Sequence, residues 1–108
     1  MKWKISYFSD DVQQVLLKWP KRLLAKYFRI TDLMLENGGN LGMPFTKPIK
    51  NGLFEIRVKA QEGIGRVFYC TEVNKEIVIL HSFIKKTQKT PKKELEIALD
   101  RMLEVKND

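Results

Sequence analysis

Two arginines and a glutamate carry the first chemical signal in this chain. Glu55 and Arg57 alternate with Phe54, Ile56 and Val58, and Arg66 opens the run Arg66-Val67-Phe68-Tyr69. A period of two is the pattern of a half-buried strand, where the pleat sets the direction of every side chain. A guanidinium anchored in this way holds a phosphate in fixed geometry better than a loop lysine does, because its planar fork donates to two oxygens at once. A third run adds His81 and Phe83, followed directly by Lys85 and Lys86. These residue types suit cleavage of RNA without metal. The 2′-hydroxyl attacks its own phosphate, so the protein must help to deprotonate it, stabilise the extra negative charge on the phosphorane and protonate the departing 5′-oxygen. Arginine keeps its proton and so serves charge stabilisation. Glu55, His81 or a lysine such as Lys86 is the acid–base candidate. Phe83 offers a face on which an unpaired base stacks, and Lys59, Lys85 and Lys89 are candidate backbone contacts.

Each of these residues also has a plainer role open to it. Glu55 can simply pair with Arg57 or Arg66, His81 can be a hydrogen-bonded strand-end residue, and Phe83 can belong to the core. Cys70 reads as a small buried apolar side chain, and Trp3 and Trp19 as packing residues. Strand register, which decides whether Arg57 and Arg66 share a face, is left open by the sequence.

The elements that position these groups come from 108 residues, one domain's worth spanning 1–108. With 20 basic and 13 acidic side chains the net charge is +7, which points to an anionic partner, nucleic acid first. The charge is uneven: residues 1–44 carry +3, residues 45–93 carry +7 and residues 94–108 carry −3. The segment 85–93 has five lysines and no acid. One cysteine excludes an internal disulfide, and with one histidine a structural zinc site would need an unusual ligand set, so no metal or cofactor is expected. No apolar run approaches the roughly 18 residues of a membrane span, and the N-terminus lacks the apolar core of a signal peptide. A cytoplasmic, soluble, metal-free domain that makes no membrane contact is the resulting expectation.

Residues 2–8 alternate as a strand, with Trp3, Ile5 and Tyr7 on one side. Ser9-Asp10-Asp11 supplies an N-cap and acidic first turn, and Val12, Val15, Leu16 and Trp19 form one helical stripe. Pro20 breaks the pattern. A second helix begins at about Lys21 and stops at Asn37-Gly38-Gly39, its apolar set being Leu23, Leu24, Tyr27, Phe28, Ile30, Leu33 and Met34. The two form a hairpin or one kinked helix. Residues 37–52, rich in Gly, Pro and Asn, read as a loop. Strands follow at about 53–59, 66–72 and 77–83, joined as an antiparallel meander. Parity groups Ile79, His81 and Phe83 against Val78, Leu80 and Ser82, and the continuously apolar 77–80 suggests a central strand covered on both faces. Thr90-Pro91 opens a last helix, with Leu95, Ala98, Leu99 and Met102 as its buried stripe. The order β-α-α-β-β-β-α is that of an α+β domain whose helices pack on a small, mainly antiparallel sheet.

Three stretches carry a family resemblance: Gly52-Leu53-Phe54-Glu55-Ile56-Arg57-Val58, Gly65-Arg66-Val67-Phe68-Tyr69 and the run 79–91, which reads Ile-Leu-His-Ser-Phe-Ile-Lys-Lys-Thr-Gln-Lys-Thr-Pro. Together they resemble the phage-derived, HigB-like branch of the RelE toxin superfamily, over nearly the whole chain and with the same element order. The resemblance implies a RelE-like fold and the toxin of a type II toxin–antitoxin pair. Such a toxin is an mRNA interferase, a metal-independent endoribonuclease that cuts mRNA, commonly in the A site of the 70S ribosome, and so arrests translation. The implied partner is a helix-turn-helix, HigA-like antitoxin. By the same resemblance, Arg57 matches a basic position used for the scissile phosphate and Arg66 the arginine assigned to transition-state charge. Lys85 and Lys86 match the basic segment after the last strand. Residues 102–108 offer no tyrosine where the RelE branch often places its acid, so that role passes to His81 or Lys86. A non-catalytic RNA-binding or regulatory relative is the alternative, and a protein whose basic surface docks an acidic partner is a third reading.

Overall fold

The computed structural model describes residues 2–85 and 91–107. Its elements run β1 (Lys4–Tyr7), α1 (Asp10–Leu17), α2 (Lys21–Asn37), β2 (Thr46–Lys50), β3 (Leu53–Ala60), β4 (Gly63–Glu72), β5 (Glu76–Lys85) and α3 (Lys92–Lys106). The α+β class is as expected, with one strand added. That strand, β2, lies within the stretch that composition marks as loop. Pro48 disguises it, yet proline is tolerated because β2 is an edge strand and owes no outer ladder bond. Asn51 and Gly52, with φ of 53° and 92°, close the β2–β3 hairpin in the left-handed geometry that a two-residue turn requires.

The strands form one sheet in the order β1-β5-β4-β3-β2. β1 pairs parallel with β5, and every other pair is antiparallel. Helices cover both faces. On one, Val12 and Leu16 of α1, Trp19, and Leu23, Tyr27, Ile30 and Met34 of α2 pack against Ile56, Val58, Val67, Tyr69, Ile77 and Ile79. On the other, Ala98 and Met102 of α3 pack against Leu53, Phe68, Cys70, Val78 and Leu80. The unbroken apolar run of β5 thus divides between two cores. Leaving water in this way is the main force holding the layers together.

α1 and α2 are separate helices. Ser9 caps α1 by accepting from the Val12 amide at 3.2 Å, and Pro20 takes the N-cap position of α2. Val15, Phe28 and Leu33 fall outside the buried stripes and are exposed. Pro91 is the N-cap residue of α3, one position later than the sequence suggests; the expected cap Thr90 lies outside the described residues. No described helix is long and apolar enough to cross a membrane.

One correction bears on the site. The β4–β5 register shifts between Phe68 and Tyr69: Phe68 pairs with His81, whereas Tyr69 pairs with Ile79. Leu80 and His81 together oppose one residue, which is a β-bulge. Alternation slips there. Ile79 joins the α1–α2 core, while His81 falls on the α3 side with Leu80, so Ile79 and His81 do not share a face as simple parity has it.

Candidate functional site

α3 covers the part of its sheet face that carries Leu53, Cys70, Val78 and Leu80. Towards the β3–β4 turn the same face carries three cross-strand rows. Glu55, Phe68 and His81 form the first, Arg57, Arg66 and Phe83 the second, and Lys59, Ile64 and Lys85 the third. Neighbours within a row are about 5 Å apart and rows about 7 Å apart along the strands. Arg57 and Arg66 are therefore direct cross-strand partners, and the open question of register is resolved in favour of a shared face. The first row carries an acid, and the second and third carry two basic side chains each.

Glu55 ties the rows together. Its Oε1 accepts from Arg66 Nη1 at 2.5 Å and lies 3.9 Å from Arg57 Nε. Glu55 is fully buried, Arg66 is 2% exposed, and the Arg57 side chain is 16% exposed. One carboxylate thus serves two guanidiniums, and the three side chains together carry one net positive charge. An ion pair out of water persists only when its geometry is good, because each charge has given up hydration. Glu55 Oε2 is buried and has no hydrogen-bond partner among the described residues. Burial separates the roles of the two arginines. Arg57 reaches the surface, whereas Arg66 lies beneath it as a fixed positive charge.

His81 is held by α3. Its Nε2 lies 2.9 Å from Glu94 Oε1, and its Nδ1 lies 3.4 Å from Arg101 Nη1, which also donates to the Leu80 carbonyl at 2.8 Å. Arginine can only donate. Nδ1 is therefore the acceptor, and Nε2 carries the proton directed at Glu94, a tautomer assigned from the network. Both ring nitrogens are engaged within the protein. Phe83 packs against both His81 and Phe68, with ring centroids 5.9 Å from each, and is half-buried. Lys59 is exposed and Lys85 is half-buried. Lys86 and Lys89 lie outside the described residues.

Cys70 is buried in the α3 core, and burial pushes its thiol up to about 11, so it is not a thiolate nucleophile near neutral pH. No cluster of three or more His, Cys, Asp or Glu among the described residues could hold a metal ion. Sequence reasoning missed Glu94 and Arg101. They lie on the polar face of α3, where nothing distinguishes a solvated charge from one that reaches back to the sheet.

The family model described as Phage derived protein Gp49-like (DUF891) matches residues 14–103, a span that contains every residue of the three rows. A search of curated proteins gives no match.

Proposed function

Since the chain belongs to the phage-derived Gp49-like family, a RelE-type, toxin-like family of toxin–antitoxin systems, we propose that it is a HigB-like toxin: a metal-independent endoribonuclease that cuts mRNA on the ribosome. The observation that carries this reading is the cross-strand pair Arg57–Arg66 sharing the single carboxylate of Glu55. A rigid sheet and a net positive charge provide electrostatic stabilisation that needs no rearrangement as charge develops.

In this reading the bond from O2′ to phosphorus forms and the bond from phosphorus to O5′ breaks, leaving a cyclic phosphate and a free 5′-hydroxyl. Arg57 donates to the phosphate oxygens. Arg66 adds positive charge from beneath and, through Glu55, fixes the position of Arg57. Glu55 is then a positioning residue, since its burial keeps it from the substrate. His81 anchors α3, which leaves Lys85 and Lys86 as the candidates for moving protons to and from the reacting oxygens. Phe83 and Lys59 flank the strand. The partner is a helix-turn-helix antitoxin that masks this basic face, and the site of action is the cytoplasm.

The test is to add purified protein to translating ribosomes and map mRNA 5′ ends. Arg57→Ala is expected to lower cleavage by about 100-fold or more, the usual cost of one oxyanion donor, with the circular dichroism spectrum unchanged. Parental cutting by this variant refutes the assignment. The engagement of both His81 nitrogens favours a second reading, a non-catalytic RNA binder; intact message together with salt-sensitive RNA binding by the parent would select it.

A further inference from the structure

A cleft of about 390 Å³ opens on the outer edge of β3, away from the arginine row but sharing Arg57 with it. It exists because β2 stops short: its pairing ends at Thr46 opposite Ile56. α2 lines one side with Lys26, Arg29 and Ile30, β3 supplies Arg57, Val58 and Lys59, and the far wall is Met43-Pro44-Phe45. Four basic residues and no acid line it; Arg57 and Lys59 border it from the strand edge, since their side chains belong to the other face of the sheet. Its volume lies in the range of small-ligand sites.

The wall is unusual in being apolar and open to water: Met43 is 60% exposed and Phe45 38%. It is also held in place. The amides of Phe45 and Thr46 donate to the Gly42 carbonyl at 3.1 and 3.0 Å, and the Arg57 amide donates to the Phe45 carbonyl at 2.9 Å. The buried Thr46 hydroxyl bonds Asn40 Oδ1 and accepts from the Gly42 amide, both at 2.8 Å. Lys26 Nζ donates to the Lys59 carbonyl at 2.6 Å, which fixes its charge at the mouth. Arg29 is exposed and makes no hydrogen bond or ion pair among the described residues. Exposed apolar side chains on a preorganised loop, facing a cluster of cations, match a planar base attached to a phosphate.

We propose that this cleft receives one unstacked nucleotide of the RNA strand whose adjoining linkage lies at Arg57. Phe45 and Met43 pack on the base, and Arg29 and Lys26 hold its phosphate. The inference rests on the RNA reading above and extends it from the cut linkage to the neighbouring nucleotide, which is where a sequence preference would arise.

The experiment measures binding of a short fluorescein-labelled oligouridylate by polarisation, with the full chain and with Phe45→Ala and Arg29→Ala. Both side chains are surface groups, and melting curves verify the fold. Phe45→Ala is expected to weaken binding about tenfold, as loss of one base stack does. Arg29→Ala is expected to weaken it several-fold and to lower the salt slope by about one. A 4-thiouridine version should crosslink to the peptide containing 43–45. Parental binding by both variants with crosslinks elsewhere overturns the proposal. So does an equal loss on an abasic strand, which means that only charge is read, or competition by polyglutamate as effective as by RNA, which means that the occupant is an acidic protein segment. The two readings fail separately. A parent that cuts no message while Phe45→Ala weakens binding sinks cleavage alone, and a parent that cuts while both variants bind and cut normally sinks the cleft alone.

Discussion

Removing the Arg66 side chain would strand Glu55. Its carboxylate is fully buried, its Oε2 already has no hydrogen-bond partner among the described residues, and the closer of its two guanidiniums would be gone. Arg66→Ala should therefore cost about 3–5 kcal/mol of stability, the usual result of leaving one member of a buried pair. Glu55→Gln combined with Arg66→Met, which removes both charges, should recover most of that loss. Guanidinium unfolding midpoints check both, and a stable single variant contradicts the account. Loss of toxicity in Arg66→Ala alone would thus report folding before chemistry, which makes Arg57 the cleaner probe. The residue types at 55, 57, 66, 81 and 83 were legible from alternation and charge. Their burial was not. Glu55 and Arg66 look like exposed strand polars in the one-dimensional pattern, and only the packing of distant elements takes them out of water.

At the scale of elements, Gly65 shows how a small side chain sets the distance between layers. A Cβ there would lie 2.5 Å from the Trp19 ring, so the indole seats on β4 only because Gly65 has no side chain. Gly65→Ala should destabilise the chain by about 1–3 kcal/mol, the cost of overpacking a core. Thermal melting checks this, and an unchanged midpoint argues that the indole can shift freely. Most elements could be read from hydrophobic period and caps: β1, α1, α2, the β3–β5 meander and α3. β2 could not be, because Pro48 and the surrounding glycines imitate a loop, although Asn51-Gly52 marks a hairpin turn. The bulge opposite Phe68 also left no trace, since a continuously apolar stretch looks the same in either register. The cleft beside β3 was hidden for the same reason as β2. Lys26 and Arg29 look like an ordinary solvated helix face until the end of β2 creates a hollow next to them.

For the whole molecule, burial of weak acids sets the alkaline limit. The Cys70 thiol rises from 9.0 to about 11 and the Tyr69 hydroxyl from 10.0 to about 12, both chiefly through burial, and the Tyr27 hydroxyl shifts further in the same direction. The folded chain keeps these protons where the unfolded chain has released them. Their contribution to stability is complete below pH 9 and is lost as the pH rises through about 12. Guanidinium midpoints should accordingly hold steady towards pH 9 and then fall; a midpoint that is flat to pH 11 refutes the linkage. The layered architecture has one further effect, and it concerns time. β1 is made before β5, its strand partner among the described residues, with Lys4 set against Glu76. Chains emerge from the N-terminus onward. The sheet therefore stays unfinished until β5 has followed β1 out of the exit tunnel, and because Phe83 of β5 stands opposite Arg66, the arginine row is completed only at that moment.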